Sequence, residues 1–173
     1  MTEHRTTLDN FRRAGRGHLH SACRVLERTA AGTSPQPALT PCSAAYLAHV
    51  SLECAIKARL LSRGGYVSVE ALAEKAPQVH AELFRGARGH DLNVLGSHLR
   101  IKGFVETCGK PWSDDACWKR MTASGRPYSL RYGTEPLATL AAEEEVQRAS
   151  VLGELLLDGI TVGRLRKPRR GAR

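Results

Sequence analysis

Apolar side chains recur at intervals of three and four residues along most of this 173-residue chain, which is the spacing of one face of an α-helix. Alternating runs of Val, Ile, Thr and Tyr are scarce, and aromatic residues make up only 5% of the sequence. A β-sheet therefore has little to form from. We expect an all-α fold, a helical bundle in which several short helices accompany three longer ones.

Helix-end signals divide the chain further. The proline cluster from Pro35 to Pro41 separates the first two helices, Gly64 and Gly65 follow the second, and Pro136 lies in the first turn of the last. The long helices are expected over residues 6–30, 42–63 and 134–158. Short helices are expected from Ser68 to before Pro77, over 78–84, from His90 and Asp91 to Gly103, and near Ser113, with a loop over 124–133.

The positive charge of the chain is concentrated at its C-terminal end. Lys and Arg number 26 against 17 Asp and Glu, a formal net charge of +9. Six of the basic residues lie in the last ten positions without an acid, which leaves +3 for the rest: Arg164, Arg166, Lys167, Arg169, Arg170 and Arg173. We therefore expect one helical domain over 1–163 and a disordered basic tail over 164–173. Such a tail either binds a polyanion such as RNA or is a solvated end without specific contacts.

Several classes of protein are disfavoured. No apolar run approaches the ~20 residues that cross a membrane, and the charged N-terminal residues do not form a signal peptide. Five cysteines without C-x-x-C spacing predict reduced thiols, so we expect a cytoplasmic protein. His18, His20 and Cys23 lack a second group of ligands, and no nucleotide-cofactor motif is present. We expect neither a metal nor another cofactor.

Three short motifs occur along the chain in a recognisable order. Tyr46 precedes Glu53-Cys-Ala-Ile-Lys57 on the second helix, Gly89-His90-Asp91-Leu92 opens a later helix, and Ser129-Leu-Arg131-Tyr132 precedes the last. Together they resemble the HEPN superfamily, helical-bundle proteins of prokaryotic toxin–antitoxin and defence systems. The resemblance spans about residues 15–158 and implies a HEPN-like helical bundle.

The resemblance also implies an activity. Active members of the superfamily are metal-independent endoribonucleases with an Arg, four to six residues and a His, and Arg85 and His90 satisfy this spacing. Two protomers of such members pair so that both motifs line one cleft, which implies a homodimer acting on RNA. A histidine can move protons between the 2′-hydroxyl and the leaving oxygen, and an arginine can hold the phosphate.

The motif departs from the superfamily pattern in two respects. Gly86 follows Arg85 where active members carry a polar residue, and the motif lies mid-chain in a glycine-rich turn. His90 is alternatively a helix-start residue whose ring caps or packs locally. Arg88 is closer to His90 and is a candidate to replace or assist Arg85 in RNA binding.

Two other groups of polar residues are candidates. Arg131 and Tyr132 either contact phosphate and stack on a base or cap the last helix and pack in the core. His49, Glu53 and Lys57 lie four residues apart and form a polar stripe on one helix face. The stripe is interpreted as a partly buried interhelical network, with an acid–base pair of His49 and Glu53 as the alternative.

Two function hypotheses follow. The first is a HEPN-like endoribonuclease of a toxin–antitoxin or defence system, with RNA held by the residues already named and by the basic tail. The second is a non-catalytic HEPN-like module that pairs with a nucleotidyltransferase or with another subunit of a defence complex. Cleavage of RNA in the presence of EDTA distinguishes the two.

Overall fold

The computed structural model describes residues 6–33, 40–99, 116–123, 126–133 and 136–158. Over these ranges the chain is helical and contains no β-strand, which confirms the all-α fold with three long helices and several short ones. The helices are α1 (Leu8–Ala30), α2 (Thr40–Gly64), α3 (Val69–Lys75), α4 (Pro77–Phe84), α5 (Leu92–Leu99), α6 (Ala116–Met121), α7 (Tyr128–Arg131) and α8 (Thr139–Asp158), with a 3-10 helix at Ala87–His90.

Helix α2 is the centre of the bundle and packs against α1 and α8 along its length. Its small side chains allow this, because Ala48 and Ala55 are buried without keeping the neighbouring backbones apart. Gly15 of α1 lies so close to α2 that a Cβ there would stand 3.2 Å from the carbonyl oxygen of Ser51. The Ser51 hydroxyl donates to the Gly15 carbonyl at 2.8 Å. A glycine that weakens an isolated helix therefore permits the close approach of two helices.

The helix starts follow from side-chain caps. The Ser68 hydroxyl accepts from the backbone N–H of Ala71, as its predicted capping role requires. One carboxylate oxygen of Asp91 accepts from the backbone N–H groups of Asn93 and Val94. Asp91 is thus the residue that caps α5, which leaves the His90 side chain available for another contact.

The structure differs from the sequence prediction near the last helix. Helix α8 begins at Thr139, not at 134, and Pro136 precedes it. Leu137 packs against a small cluster that includes Leu130, so this apolar contact occupies the segment before α8. Residues 128–131, expected as part of a loop, form α7 because Leu130 is buried.

Some predictions concern parts of the chain that the structure does not describe. These are the helix end at Gly103, the cap at Ser113 and the boundary at residue 163 with the tail beyond it. Within the described ranges, no helix has both the length and the apolar character needed to cross a membrane.

Candidate active site

The polar stripe of α2 is buried inside the bundle. His49, Glu53 and Lys57 are 2%, 6% and 6% exposed. Buried charges are costly unless they are paired, and here the ammonium of Lys57 donates to Glu53 Oε1 at 2.7 Å. The same ammonium lies 5.4 Å from the centre of the Phe84 ring, a cation–π contact with α4. The stripe thus forms an interhelical network of paired groups.

His90 joins this network from the 3-10 helix. Its Nδ1 lies 3.0 Å from Glu53 Oε2, and because a carboxylate only accepts, Nδ1 carries the proton and donates. In the neutral ring, Nε2 then carries the lone pair. The side chain remains 48% exposed, so a buried carboxylate fixes the orientation of a ring that solvent can reach. The contact joins residues 37 positions apart and replaces the local capping role considered for His90.

His49 holds the backbone of the same residue. Its Nε2 lies 3.2 Å from the carbonyl oxygen of His90 and donates to it, because a carbonyl oxygen only accepts. Burial is the main cause that lowers the pKa of His49, which keeps the ring neutral. Two side chains of α2 therefore position His90, Glu53 through the ring and His49 through the main chain.

The turn that carries His90 depends on two glycines. Gly86 has a φ of +75°, in the left-handed region that favours glycine. At Gly89, a Cβ would lie 2.9 Å from the carbonyl oxygen of Leu83, so a larger residue would displace the backbone. Backbone geometry thus accounts for both glycines of this turn.

Two arginines lie on the surface of this turn. Arg85 is the residue that follows α4, and its exposed side chain forms no hydrogen bond or ion pair with any residue that the structure describes. Arg88 is exposed, and its Nη1 lies 3.8 Å from the carboxylate of Glu82. A partly exposed imidazole and two exposed guanidinium groups therefore occur within six residues.

A second buried ionic cluster adjoins the first. Glu145 of α8 is fully buried, and its two oxygens accept from Arg120 at 2.8 Å and from Arg126 at 2.9 Å. Arg120 also donates to Glu144 at 2.7 Å. The charge of Arg126 is one of the influences that lower the pKa of His49, so the two clusters are electrostatic neighbours. No sequence spacing links these residues, so this cluster could not be predicted from the sequence.

The remaining candidate RNA-binding residues lie at the C-terminal end of α7 or outside the described ranges. Tyr132 is 69% exposed, and the guanidinium of Arg131 lies 5.7 Å from the centre of its ring. Both residues are at the surface, so the alternative in which the ring packs in the core is wrong. The tail candidates lie outside the described residues: Arg164, Arg166, Lys167, Arg169 and Arg170.

Within the described residues, the potential metal ligands and the buried thiol of Cys54 do not form a site comparable to the His90 network. In the described part of the chain, no group of three or more His, Cys, Asp or Glu side chains is placed to hold a metal ion. Burial raises the pKa of the Cys54 thiol to about 11, so the thiolate that would act as a nucleophile is not formed near neutral pH. Among the residues that the structure describes, the exposed imidazole of His90 and the buried carboxylate beside it form an arrangement that can move a proton.

Comparisons of the chain with protein-family models, with curated proteins and with solved structures find no match.

Proposed function

We propose that this chain is a HEPN-like, metal-independent endoribonuclease in which His90 transfers protons and Arg85 binds the scissile phosphate. One observation carries the proposal: the buried carboxylate of Glu53 accepts from Nδ1 of a half-exposed His90. A carboxylate in this position fixes the tautomer, so the second ring nitrogen is presented as a proton acceptor. General acid–base catalysis needs such an oriented ring within reach of the substrate.

The reaction is a transesterification at phosphorus. Nε2 of His90 takes the proton of the RNA 2′-hydroxyl, the 2′-oxygen forms a bond to the adjacent phosphorus, and the bond to the 5′-oxygen breaks. The leaving oxygen receives a proton from Nε2 of the corresponding histidine on a second copy of the turn in the proposed homodimer, whose ring starts in the imidazolium form, so the two rings exchange protonation states during the reaction. Arg85 stabilises the charge on the phosphoryl oxygens. The products are a 2′,3′-cyclic phosphate and a 5′-hydroxyl.

Further basic and aromatic groups would hold the RNA. Arg88 lies in the same turn, and Arg131 and Tyr132 offer an exposed guanidinium and ring, the combination that binds phosphate and stacks on an unpaired base. The basic tail adds charge that attracts RNA without regard to sequence. A cytoplasmic location and a toxin–antitoxin or defence role belong to this proposal through the HEPN resemblance.

The outer face of α8 supports the homodimer. Leu140, Val151 and Leu155 are 68%, 49% and 37% exposed, and their spacing of eleven and four residues places them on one face of the helix. A second copy of the chain would cover these apolar groups. Sedimentation equilibrium of the wild type and of Val151→Glu/Leu155→Glu tests this, because two buried charges should convert a dimer to a monomer.

The test of the activity is cleavage of mixed RNA with EDTA present. Wild type should cleave and leave 2′,3′-cyclic phosphate ends, His90→Ala should be inactive, and Arg85→Ala should be strongly impaired. Arg88→Ala shows whether the second arginine assists. His98→Ala is the matched control, because His98 also pairs with a glutamate, but with Glu82 at the surface, so it should cleave like wild type.

Two results would count against the proposal. Cleavage that survives in purified His90→Ala would assign the activity to another site or to a contaminant. Absence of cleavage by folded, dimeric wild type would favour the non-catalytic module, which would use the exposed face of α8 to bind a nucleotidyltransferase or another defence subunit. Co-purification from the native host would then identify that partner.

A further inference from the structure

A cleft of about 320 Å³ opens between α1, α2 and α8, a volume within the ~300–1,000 Å³ range of small-molecule sites. Ser51 lines this cleft, while Glu53 belongs to the His90 network. Because successive residues of a helix are rotated by about 100°, these two side chains project from α2 about 200° apart. The cleft is therefore separate from the candidate active site and lies on another side of α2.

Gly153 of α8 lines the cleft and adds no side chain to it. Gly153 lies within α8, and a Cβ added there would meet no atom within 4 Å. It thus differs from Gly15, whose position against α2 excludes a side chain. Glycine lowers the stability of a helix interior relative to alanine, and at this position it leaves the space above the helix free of a side chain.

The lining of the cleft is divided between apolar and charged groups. Leu19 of α1 and Leu157 of α8 supply apolar surface, while the exposed side chains of Arg16 and Glu154 supply opposite charges from two different helices. A guanidinium binds a carboxylate, a carboxylate binds an ammonium group, and leucine side chains bind an apolar body. These three features suit a small molecule that carries both charges on an apolar body, and His20 adds a further polar group to the lining.

We propose that this cleft binds a small zwitterion with an apolar body, the chemistry of a free apolar amino acid. Arg16 binds its carboxylate, Glu154 binds its ammonium group, and the apolar body lies between Leu19 and Leu157 above Gly153. The proposal is independent of RNA cleavage, because it depends on a separate set of side chains.

Binding is tested by NMR titration of the ¹⁵N-labelled protein with three probes: phenylalanine, 3-phenylpropionate, which lacks the ammonium group, and phenethylamine, which lacks the carboxylate. Phenylalanine should produce saturable shifts of the Gly15 and Gly153 amide signals and bind at least about tenfold more tightly than either analogue, since ion pairs to both charges contribute. Saturable binding at these amides that does not depend on either charge would overturn the proposed ligand class, and absence of binding would overturn the site.

Variants locate the site and assign the two charges. Gly153→Leu fills the cleft and should abolish phenylalanine binding, whereas Gly17→Leu, the same change at an exposed α1 glycine with open space above it, should not. Arg16→Gln should make phenylalanine and phenethylamine bind equally, and Glu154→Gln should do the same for phenylalanine and 3-phenylpropionate. Wild-type affinity for phenylalanine in a folded Gly153→Leu variant would contradict the proposal. Gly153→Ala, the smaller change, is measured beside it, and the same wild-type affinity in both variants would show that position 153 does not line the binding site.

Discussion

Glu53 is the single residue on which the polar network depends, because its two oxygens accept separately from Lys57 and from His90. Glu53→Gln leaves the buried ammonium of Lys57 without a counter-charge, so we expect a loss of about 3–5 kcal/mol in the free energy of unfolding. The double variant Glu53→Gln/Lys57→Met removes the unpaired charge and should recover much of that loss. Urea denaturation measures both, and a double variant no more stable than Glu53→Gln would contradict the role of Lys57.

His49 should make stability depend on pH. Burial lowers its pKa in the folded state from 6.5, so below about pH 6.5 the unfolded chain binds a proton that the folded chain does not. Stability should therefore fall as the pH decreases below that value, by up to about 1.4 kcal/mol per pH unit from this group. His49→Gln cannot titrate and should show a flatter profile in urea denaturation between about pH 8 and 5. Parallel profiles for the two proteins would argue against a neutral, buried His49.

At the scale of the helices, the contact between α1 and α2 depends on Gly15. A Cβ there would lie 3.2 Å from a carbonyl oxygen and 3.4 Å from Cys54 Cβ, both on the buried α2. We expect Gly15→Ala to destabilise the protein by about 1–3 kcal/mol through overpacking. Gly17→Ala is the control, because its Cβ would meet no atom within 4 Å. We expect this change to raise the free energy of unfolding by about 0.5–1 kcal/mol, since alanine is more stable than glycine in a helix interior. Thermal unfolding should show a lower Tm for Gly15→Ala and a higher Tm for Gly17→Ala. Equal shifts in Tm would show that α1 and α2 can move apart to accept the added methyl group.

Helices with their own periodicity and caps could be predicted from the sequence, whereas contacts between helices could not. Four-residue spacing was enough to place His49, Glu53 and Lys57 on one face of α2. That His90 reaches Glu53 could not be predicted, because spacing within one helix carries no information on the packing of another segment. The same reason hid the pairing of Glu145 with Arg126. Residues 128–131 were predicted as a loop, because α7 is stabilised by the burial of Leu130 against α2 and not by local helix propensity.

At the scale of the whole molecule, the uneven distribution of charge predicts that RNA binding and RNA cleavage depend on different parts of the chain. Deletion of residues 164–173 removes six basic residues and no acid, which lowers the formal net charge from +9 to +3, and leaves the His90 network intact. If every removed charge contacts a phosphate, the slope of log affinity for single-stranded RNA against log salt should decrease in magnitude by up to about 4. Fluorescence anisotropy over a salt series measures this slope. The cleavage rate at saturating RNA should not change, because proton transfer depends on His90 and Glu53. An unchanged slope would show that the tail does not bind RNA, whereas a lost rate at saturation would place the tail in the reaction itself.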